Sequence, residues 1–355
     1  MKQLTILILA VFILQACSNS SNKKADEKSA AKLTLTAAGA TFPMPYYNMV
    51  FNQYMVKTGT QISYGGIGSG GGIRSLTDKV IDFGATDAYL TDANLQVMPA
   101  EVVHIPTVLG AVVIAYNLPG VDSLKLSNQL LEDIFMGKIT KWNDPKIKEN
   151  NPGLTFPEMA ITVVVRSDGS GTTHIFSDFM TKISNLWAEK VGVGKALQWP
   201  VGMGAKGNPG VAGTISQTQG AIGYIGSEFA FAQKIQTAKV QNSAGNYISA
   251  SIASVSAAAQ GQIPDDTRIM LTNSDNPESY PISGFTWIIL YKEQNYNNRT
   301  KEQALATVSF LDWLVSAEAQ AEAEKVHYSP LPVAAAEKAK VILRSITYDG
   351  KPLLN

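Results

Sequence analysis

The consecutive residues Arg166, Ser167, Asp168, Gly169, Ser170, Gly171, Thr172 and Thr173 carry the strongest chemical signal in the chain. An apolar, β-branched run, Ile161 to Val165, leads into them. Apolar residues at helical spacing follow: Ile175, Phe176, Phe179, Met180 and Ile183. This pattern predicts a helix that begins at Ser170, Gly171 and Thr172. At a helix start the backbone N–H groups lack intrahelical partners and the helix dipole is positive. Hydroxyls, glycines that permit close backbone approach and one guanidinium then make a site for a small tetrahedral oxyanion. Arg166 directly follows three valines, so its charge sits at the rim of a buried strand and requires an anionic partner. Asp168 is placed to stabilise the turn or to pair with Arg166.

Three other stretches repeat the design of strand end, small residues, then helix start or turn. They lie at Thr41-Phe42, at Ser69 and at Asp87. Leu33–Thr36, Gln61–Tyr64 and Ile81–Thr86 read as the strands that lead into them. A helix with Tyr47, Val50, Phe51, Tyr54 and Met55 on one face follows Pro43 and stops at Gly59. Further on, Thr107–Tyr116, Ala221–Ile225 and Phe285–Tyr291 read as strands, and a long helix is predicted from about 304 to 325. Strands alternating with helices argue an α/β fold, in which ligands bind outside the carboxyl ends of strands. Three of the four loops precede Pro106 and one follows it, so a ligand touching all four is clamped between two lobes. The pattern changes near Pro106 and Pro281 divide the chain into a first lobe, 33–106 with 281–355, interrupted by an inserted second lobe, 107–280.

Each loop residue also has a plain role. Thr41 suits a helix N-cap, and Ser69 suits a tight turn. His174 reads as structural, and Lys206, in a second glycine stretch from Gly202 to Gly213, as a solvated charge.

Asp87 selects the class of anion. A carboxylate beside an anion site repels the guest unless the guest carries a proton. Phosphate near neutral pH retains an O–H that Asp87 can accept, whereas sulfate has none, so the pattern favours phosphate. A competing motif is Gly66-Ile67-Gly68-Ser69-Gly70-Gly71, which matches G-x-G-x-x-G with Asp87 closing the next strand and mimics a dinucleotide-binding fingerprint. That reading leaves the Arg166 loop without a role. No Walker-type G-x-x-x-x-G-K-[ST] sequence occurs.

The formal net charge is +0, which removes the basic footprint of a nucleic-acid binder and leaves anion binding to local geometry. With 3 histidines and no paired acid and base, neither a cofactor, a metal centre nor catalysis is expected. At the N-terminus, Lys2 precedes an apolar stretch, Leu4–Leu14, too short to span a bilayer comfortably. Leu14-Gln15-Ala16-Cys17 resembles a bacterial lipobox, and Cys17 is the only cysteine, so an intramolecular disulfide is impossible. Residues 1–16 then read as a lipoprotein signal peptide, Cys17 as the lipidated residue, and 17–32 as a flexible Ser/Asn/Lys/Ala-rich tether. An ordinary secretory signal with an incidental cysteine is the alternative.

An ordered set of landmarks resembles one family. They are Ala38-Gly39-Ala40-Thr41-Phe42-Pro43, Gly66-Ile67-Gly68-Ser69, Asp82-Phe83-Gly84-Ala85-Thr86-Asp87, Gly137-Lys138-Ile139, Trp142-Asn143-Asp144, Asp168-Gly169-Ser170-Gly171-Thr172 and Gly220-Ala221-Ile222-Gly223-Tyr224. From about Leu33 onward the chain resembles the substrate-binding proteins of bacterial phosphate ABC importers. The resemblance implies a two-lobed type II periplasmic binding protein, each lobe a mixed, mainly parallel sheet flanked by helices, with the ligand cleft between them. It also implies high-affinity binding of inorganic phosphate outside the cytoplasm and delivery to the permease and ATPase of an importer. Thr41, Phe42, Ser69, Arg166, Ser170, Gly171 and Thr172 would donate to phosphate, Asp87 would accept its proton, and Asp168 would steady Arg166. Gly70 stands where the family often carries a small hydroxyl residue. A phosphate-binding surface protein of adhesion or sensing, or a secreted phosphatase, is the alternative on the same scaffold.

Overall fold

The apolar runs do form strands, and the longest of them organises the molecule. A computed structural model describes Leu33–Leu354. Cys17 and the expected signal segment and tether, residues 1–32, lie outside the described residues. In chain order the strands are β1 (Thr34–Gly39), β2 (Gln61–Gly66), β3 (Phe83–Thr86), β4 (Val102–Tyr116), β5 (Lys125–Leu126), β6 (Thr162–Arg166), β7 (Met203–Ala205), β8 (Ala221–Gly226), β9 (Gln236–Thr237), β10 (Lys239–Gln241), β11 (Tyr247–Ile248), β12 (Ser283–Tyr291) and a short C-terminal pair, β13 (Thr347–Tyr348) and β14 (Lys351–Pro352). The main sheet runs β2-β1-β3-β12-β4-β8-β6-β7, with β9 also paired to β4. A small sheet, β11-β10-β5, lies apart.

The strand β4 has almost every side chain buried, as its mostly apolar sequence, interrupted only by His104 and Thr107, requires of a central strand. Its first part pairs antiparallel with β12, from Val102 opposite Tyr291 to Ala111 opposite Ser283. Its last part pairs antiparallel with β8, from Val112 opposite Gly226 to Tyr116 opposite Ile222. One strand thus belongs to both halves of the sheet. It also begins earlier than the expected Thr107. Pro106, which has no N–H to give the ladder, is accommodated where the β4–β12 register shifts between Thr286 and Trp287. The proline marks a bulge within the strand and not its start.

Around this axis β1 is parallel to both β2 and β3, and β6 is parallel to both β7 and β8. Their carboxyl ends therefore point to common edges. An aromatic cluster of Tyr47, Phe51, Tyr64, Phe83 and Phe310 fills the core beside β1–β3. Phe176, Trp187, Trp199 and Tyr224 fill the core beside β6 and β8, with the rings of Phe176 and Tyr224 stacked at 4.5 Å. The long helix expected over 304–325 is instead three pieces: Lys301–Leu314, Ala317–Gln320 and a 3-10 turn, Ala323–Val326. Ser316 breaks it, because its hydroxyl accepts the Ala319 N–H as the N-cap of a new helix. Among the described residues no helix is long and apolar enough to cross a membrane.

Candidate functional site

Four strand ends converge on one buried polar cluster. β1 delivers Thr41 and Phe42, β2 delivers Ser69, β3 delivers Asp87, and β6 delivers Arg166 and the loop to Thr172. Thr41, Phe42, Ser69, Asp87, Arg166, Ser170 and Thr172 are all buried. Hydrogen bonds tie Thr41, Arg166 and Thr172 together through Asn208, and Ser69, Asp87 and Gly171 through the Ser69 hydroxyl. Phe42 and Ser170 are next to them in sequence, and Asp168 lies beside Arg166. Gly171, expected to donate to the guest, instead spends its N–H on Ser69.

The helix Gly171–Ile183 starts where predicted, with Ser170 as N-cap accepting the Thr173 N–H at 3.0 Å. The Ser170 N–H itself goes to the Lys195 carbonyl at 2.8 Å, so what remains of Ser170 for a guest is its hydroxyl. The Gly171 N–H reaches across to Ser69 Oγ at 3.1 Å, and the Asp87 N–H reaches the same oxygen at 3.3 Å. Thr172 Oγ1 accepts from Arg166 Nη1 at 3.3 Å. Residues 102 positions apart therefore share one hydrogen-bonded cluster.

Arg166 is held as its position predicts. Its Nε and Nη2 grip Asp168 in a two-point pair at 2.8 and 2.6 Å. Its backbone N–H donates to the Tyr224 hydroxyl at 3.1 Å, tying the arginine to the aromatic core. The Asp168 carboxylate also accepts the Gly207 N–H at 3.0 Å. Burial pushes the Asp168 carboxyl up, but the hydrogen bonds and charge of Arg166 outweigh it and leave the group below the ordinary carboxylate range.

Asp87 has the opposite balance. Only 1% of it is exposed, and burial raises its carboxyl to about 7 against the pull of the Thr286 hydrogen bond and the Arg166 and Lys195 charges. Thr286 Oγ1 donates to Oδ1 at 2.9 Å, and no described residue donates to Oδ2. The site thus sets several donors against one free acceptor oxygen.

The glycines of β2 and its loop serve close approach between loops. Gly68 has φ +83°, and a Cβ there would stand 2.4 Å from Asp168 Oδ2 and 2.8 Å from the Gly169 carbonyl. The Gly70 N–H donates to that same carbonyl at 2.8 Å. The 168–169 loop occupies the space in front of Gly68 and Gly70, and Gly66 and Gly71 are packed against the side chains of Met44 and Ile67, so the stretch meets protein where a dinucleotide would lie. His174 is half-buried, with burial lowering its ring to about 4, and Lys206 is exposed.

Sequence reasoning missed three groups. Thr286 orients Asp87 and was legible only as a hydroxyl between Phe285 and Trp287 in the mostly apolar β12. Lys195, half-buried, places a charge near Asp87 from the other half of the sheet. Asn208, fully buried at the start of the helix Gly207–Gln217, bonds to both Thr41 and Thr172.

A PBP superfamily domain model matches residues 24–318. A phosphate-binding protein PstS of Pasteurella multocida is 38% identical over 90% of this chain and 93% of its own. One from Haemophilus influenzae is 40% identical over 84% and 89%. Among solved structures, a high affinity periplasmic phosphate-binding protein (PfluDING) bound with phosphate superposes with a TM-score of 0.71 at 23% identity, covering 87% of this chain and 93% of that one. A phosphate binding protein from Stenotrophomonas maltophilia gives 0.65 at 19%, with 88% and 93% covered. These likenesses place the mixed α/β architecture in the type II periplasmic binding protein fold. The long parallel-ended sheet, the four converging loops and the matched relatives agree, and the chain belongs to the PBP superfamily and, within it, to the PstS phosphate-binding protein family.

Proposed function

We propose that this chain binds inorganic phosphate with high affinity outside the cytoplasm and delivers it to the permease and ATPase of an ABC importer, without catalysis. The observation that carries this reading is the convergence of Arg166, the helix start at Gly171-Thr172, and the hydroxyls of Thr41 and Ser69 on one buried cluster that contains a single free carboxylate oxygen. Phe42 contributes its backbone N–H and Ser170 its hydroxyl. A tetrahedral anion accepts from the guanidinium, from these hydroxyls and from the Phe42 and Thr172 N–H groups. The Gly171 N–H, already given to Ser69 Oγ, steadies that hydroxyl and does not itself meet the guest. The anion's one proton answers Asp87. Relatives named for phosphate binding support the same ligand.

Residues 33–106 with 281–355 form one lobe and 107–280 the other in this reading, with closure about the β4 and β12 crossings. Isothermal titration of the purified chain with phosphate should give one site per molecule, and small-angle scattering should show contraction on saturation. Absence of phosphate heat, or sustained release of p-nitrophenol from p-nitrophenyl phosphate, would refute it.

Cys17 anchors the mature protein through lipid in this reading, with 17–32 as the tether. Cys17→Ser should move the protein from the membrane fraction to the soluble envelope fraction. Membrane retention of that variant would remove the anchor from the account.

A further inference from the structure

Three hydroxyls at the site have both oxygen lone pairs occupied by protein donors. Thr41 Oγ1 accepts the Asn208 backbone N–H at 3.0 Å and its Nδ2–H at 3.1 Å. Thr172 Oγ1 accepts Asn208 Nδ2–H at 3.1 Å and Arg166 Nη1–H at 3.3 Å. Ser69 Oγ accepts the N–H groups of Gly171 and Asp87. A hydroxyl has two acceptor lone pairs and one proton. With both lone pairs taken, each of these groups can act toward a guest only as a donor.

Asn208 supplies three of the four bonds that fix Thr41 and Thr172. Its amide orientation is set by the protein, because Oδ1 accepts the Gly226 N–H at 3.0 Å, and only an oxygen can do so. Both Nδ2 protons are therefore free for the two threonines. The threonines come from different parts of the sheet, Thr41 after β1 and Thr172 after β6, so the amide spans both.

Resting on the phosphate reading, we propose that Asn208 is a positioning residue that polarises the Thr41 and Thr172 hydroxyls into obligate donors. In that role it makes the cage selective for an acceptor-rich guest and couples the two sides of the site. A free hydroxyl could turn its lone pair toward a protonated guest oxygen. A hydroxyl held by Asn208 cannot, which leaves the guest proton only Asp87 to meet.

The test is a double-mutant cycle by phosphate titration on the full mature chain, with Asn208→Leu, Thr172→Val and the pair. Asn208→Leu should weaken phosphate binding by about 10- to 100-fold. Thr172→Val should cost about 5- to 20-fold in the parent chain but under about 3-fold beside Asn208→Leu, because the hydroxyl is by then no longer oriented. Asn208→Ser carries the same cycle if the leucine variant does not fold. A purely structural asparagine would give additive losses. Additive losses, or a single Asn208 variant that binds as the parent does, overturn the inference while phosphate binding stands. A parent chain that does not bind phosphate overturns the reading beneath it.

Discussion

Arg166→Ala should reduce phosphate affinity more than any other single change at the site. The guanidinium has five N–H protons. Nε and Nη2 hold Asp168 and Nη1 reaches Thr172, which leaves the remaining protons of both Nη atoms for a guest. Losing a charged hydrogen bond costs about 1.5–3 kcal/mol each, and a guest gripped by two protons loses at least one such increment. Titration calorimetry should therefore show Kd rising by roughly 10- to 150-fold or more. The same change strands Asp168. Stranding one member of a fully buried pair costs about 3–5 kcal/mol. The Asp168 side chain keeps 12% of its surface in solvent, so a smaller loss, on the order of 1–3 kcal/mol, is expected in urea unfolding. The carboxyl is held below its ordinary range in the folded protein, so the stability from this pair is present above that range and lost as pH falls through it. The stability gap between Arg166→Ala and the parent should accordingly close in acid. Arg166→Lys should not restore affinity, because one ammonium cannot grip Asp168 at two points and still reach a guest. A lysine variant that binds as tightly as the parent would show that charge alone, and not the fork, is what the site uses.

What the sequence made legible was local. The Arg166–Thr172 segment could be read because strand, turn and helix start are contiguous, and the physics of a helix N-terminus needs no distant partner. Asp87 was legible from its place after a strand end. The hydrogen bond that joins Gly171 to Ser69 follows from topology, since parallel strands bring their carboxyl ends to one edge. Asn208 was not legible. It lies 167 residues from Thr41, and a lone asparagine near Gly207 and Pro209 reads as an ordinary helix start. The available signal was a fully polar amide in a helix whose neighbours Val211, Ala212 and Ile215 are apolar and buried.

The fold departures have the same origin. Pro106 reads as punctuation in one dimension, but its missing N–H falls at a bulge that only the pairing with Trp287 creates. Ser316 sits within an apolar periodicity that continues past it, yet its side chain competes for the backbone and restarts the helix. The glycine run after β2 imitates a dinucleotide loop because both uses need absent side chains. What distinguishes them is the approaching partner, here the Gly169 backbone, and no property of the run itself encodes that.

Asp87→Asn should leave the site folded and erase much of its preference for phosphate over sulfate. In the parent, Oδ1 is committed to Thr286 and Oδ2 is a bare acceptor in a site otherwise built of donors. Sulfate brings no proton to it, so the guest meets an unanswered carboxylate. An asparagine keeps the shape and the Thr286 bond, and can turn an N–H toward sulfate. An unsatisfied buried acceptor costs about 1–3 kcal/mol, so the ratio of sulfate to phosphate Kd should fall by roughly 5- to 150-fold. The pH dependence gives a second sign to check. The carboxyl titrates at 3.8 ordinarily and at about 7 when buried, so the folded protein binds this proton more tightly than the unfolded chain. Its contribution to stability is complete below the ordinary carboxylate range and is lost as pH rises through about 7. Without ligand, Asp87→Asn should therefore gain on the parent in thermal stability at pH 8, keep a smaller part of that advantage at pH 5, and lose it below the ordinary carboxylate range. Sulfate rejection by the parent should weaken over the same interval, since a protonated Asp87 donates to sulfate where the carboxylate repels it, while the asparagine variant stays flat. Equal sulfate rejection by both proteins at pH 8 would mean that the carboxylate does not face the guest and that selectivity arises from cage size or from the hydroxyl donors alone.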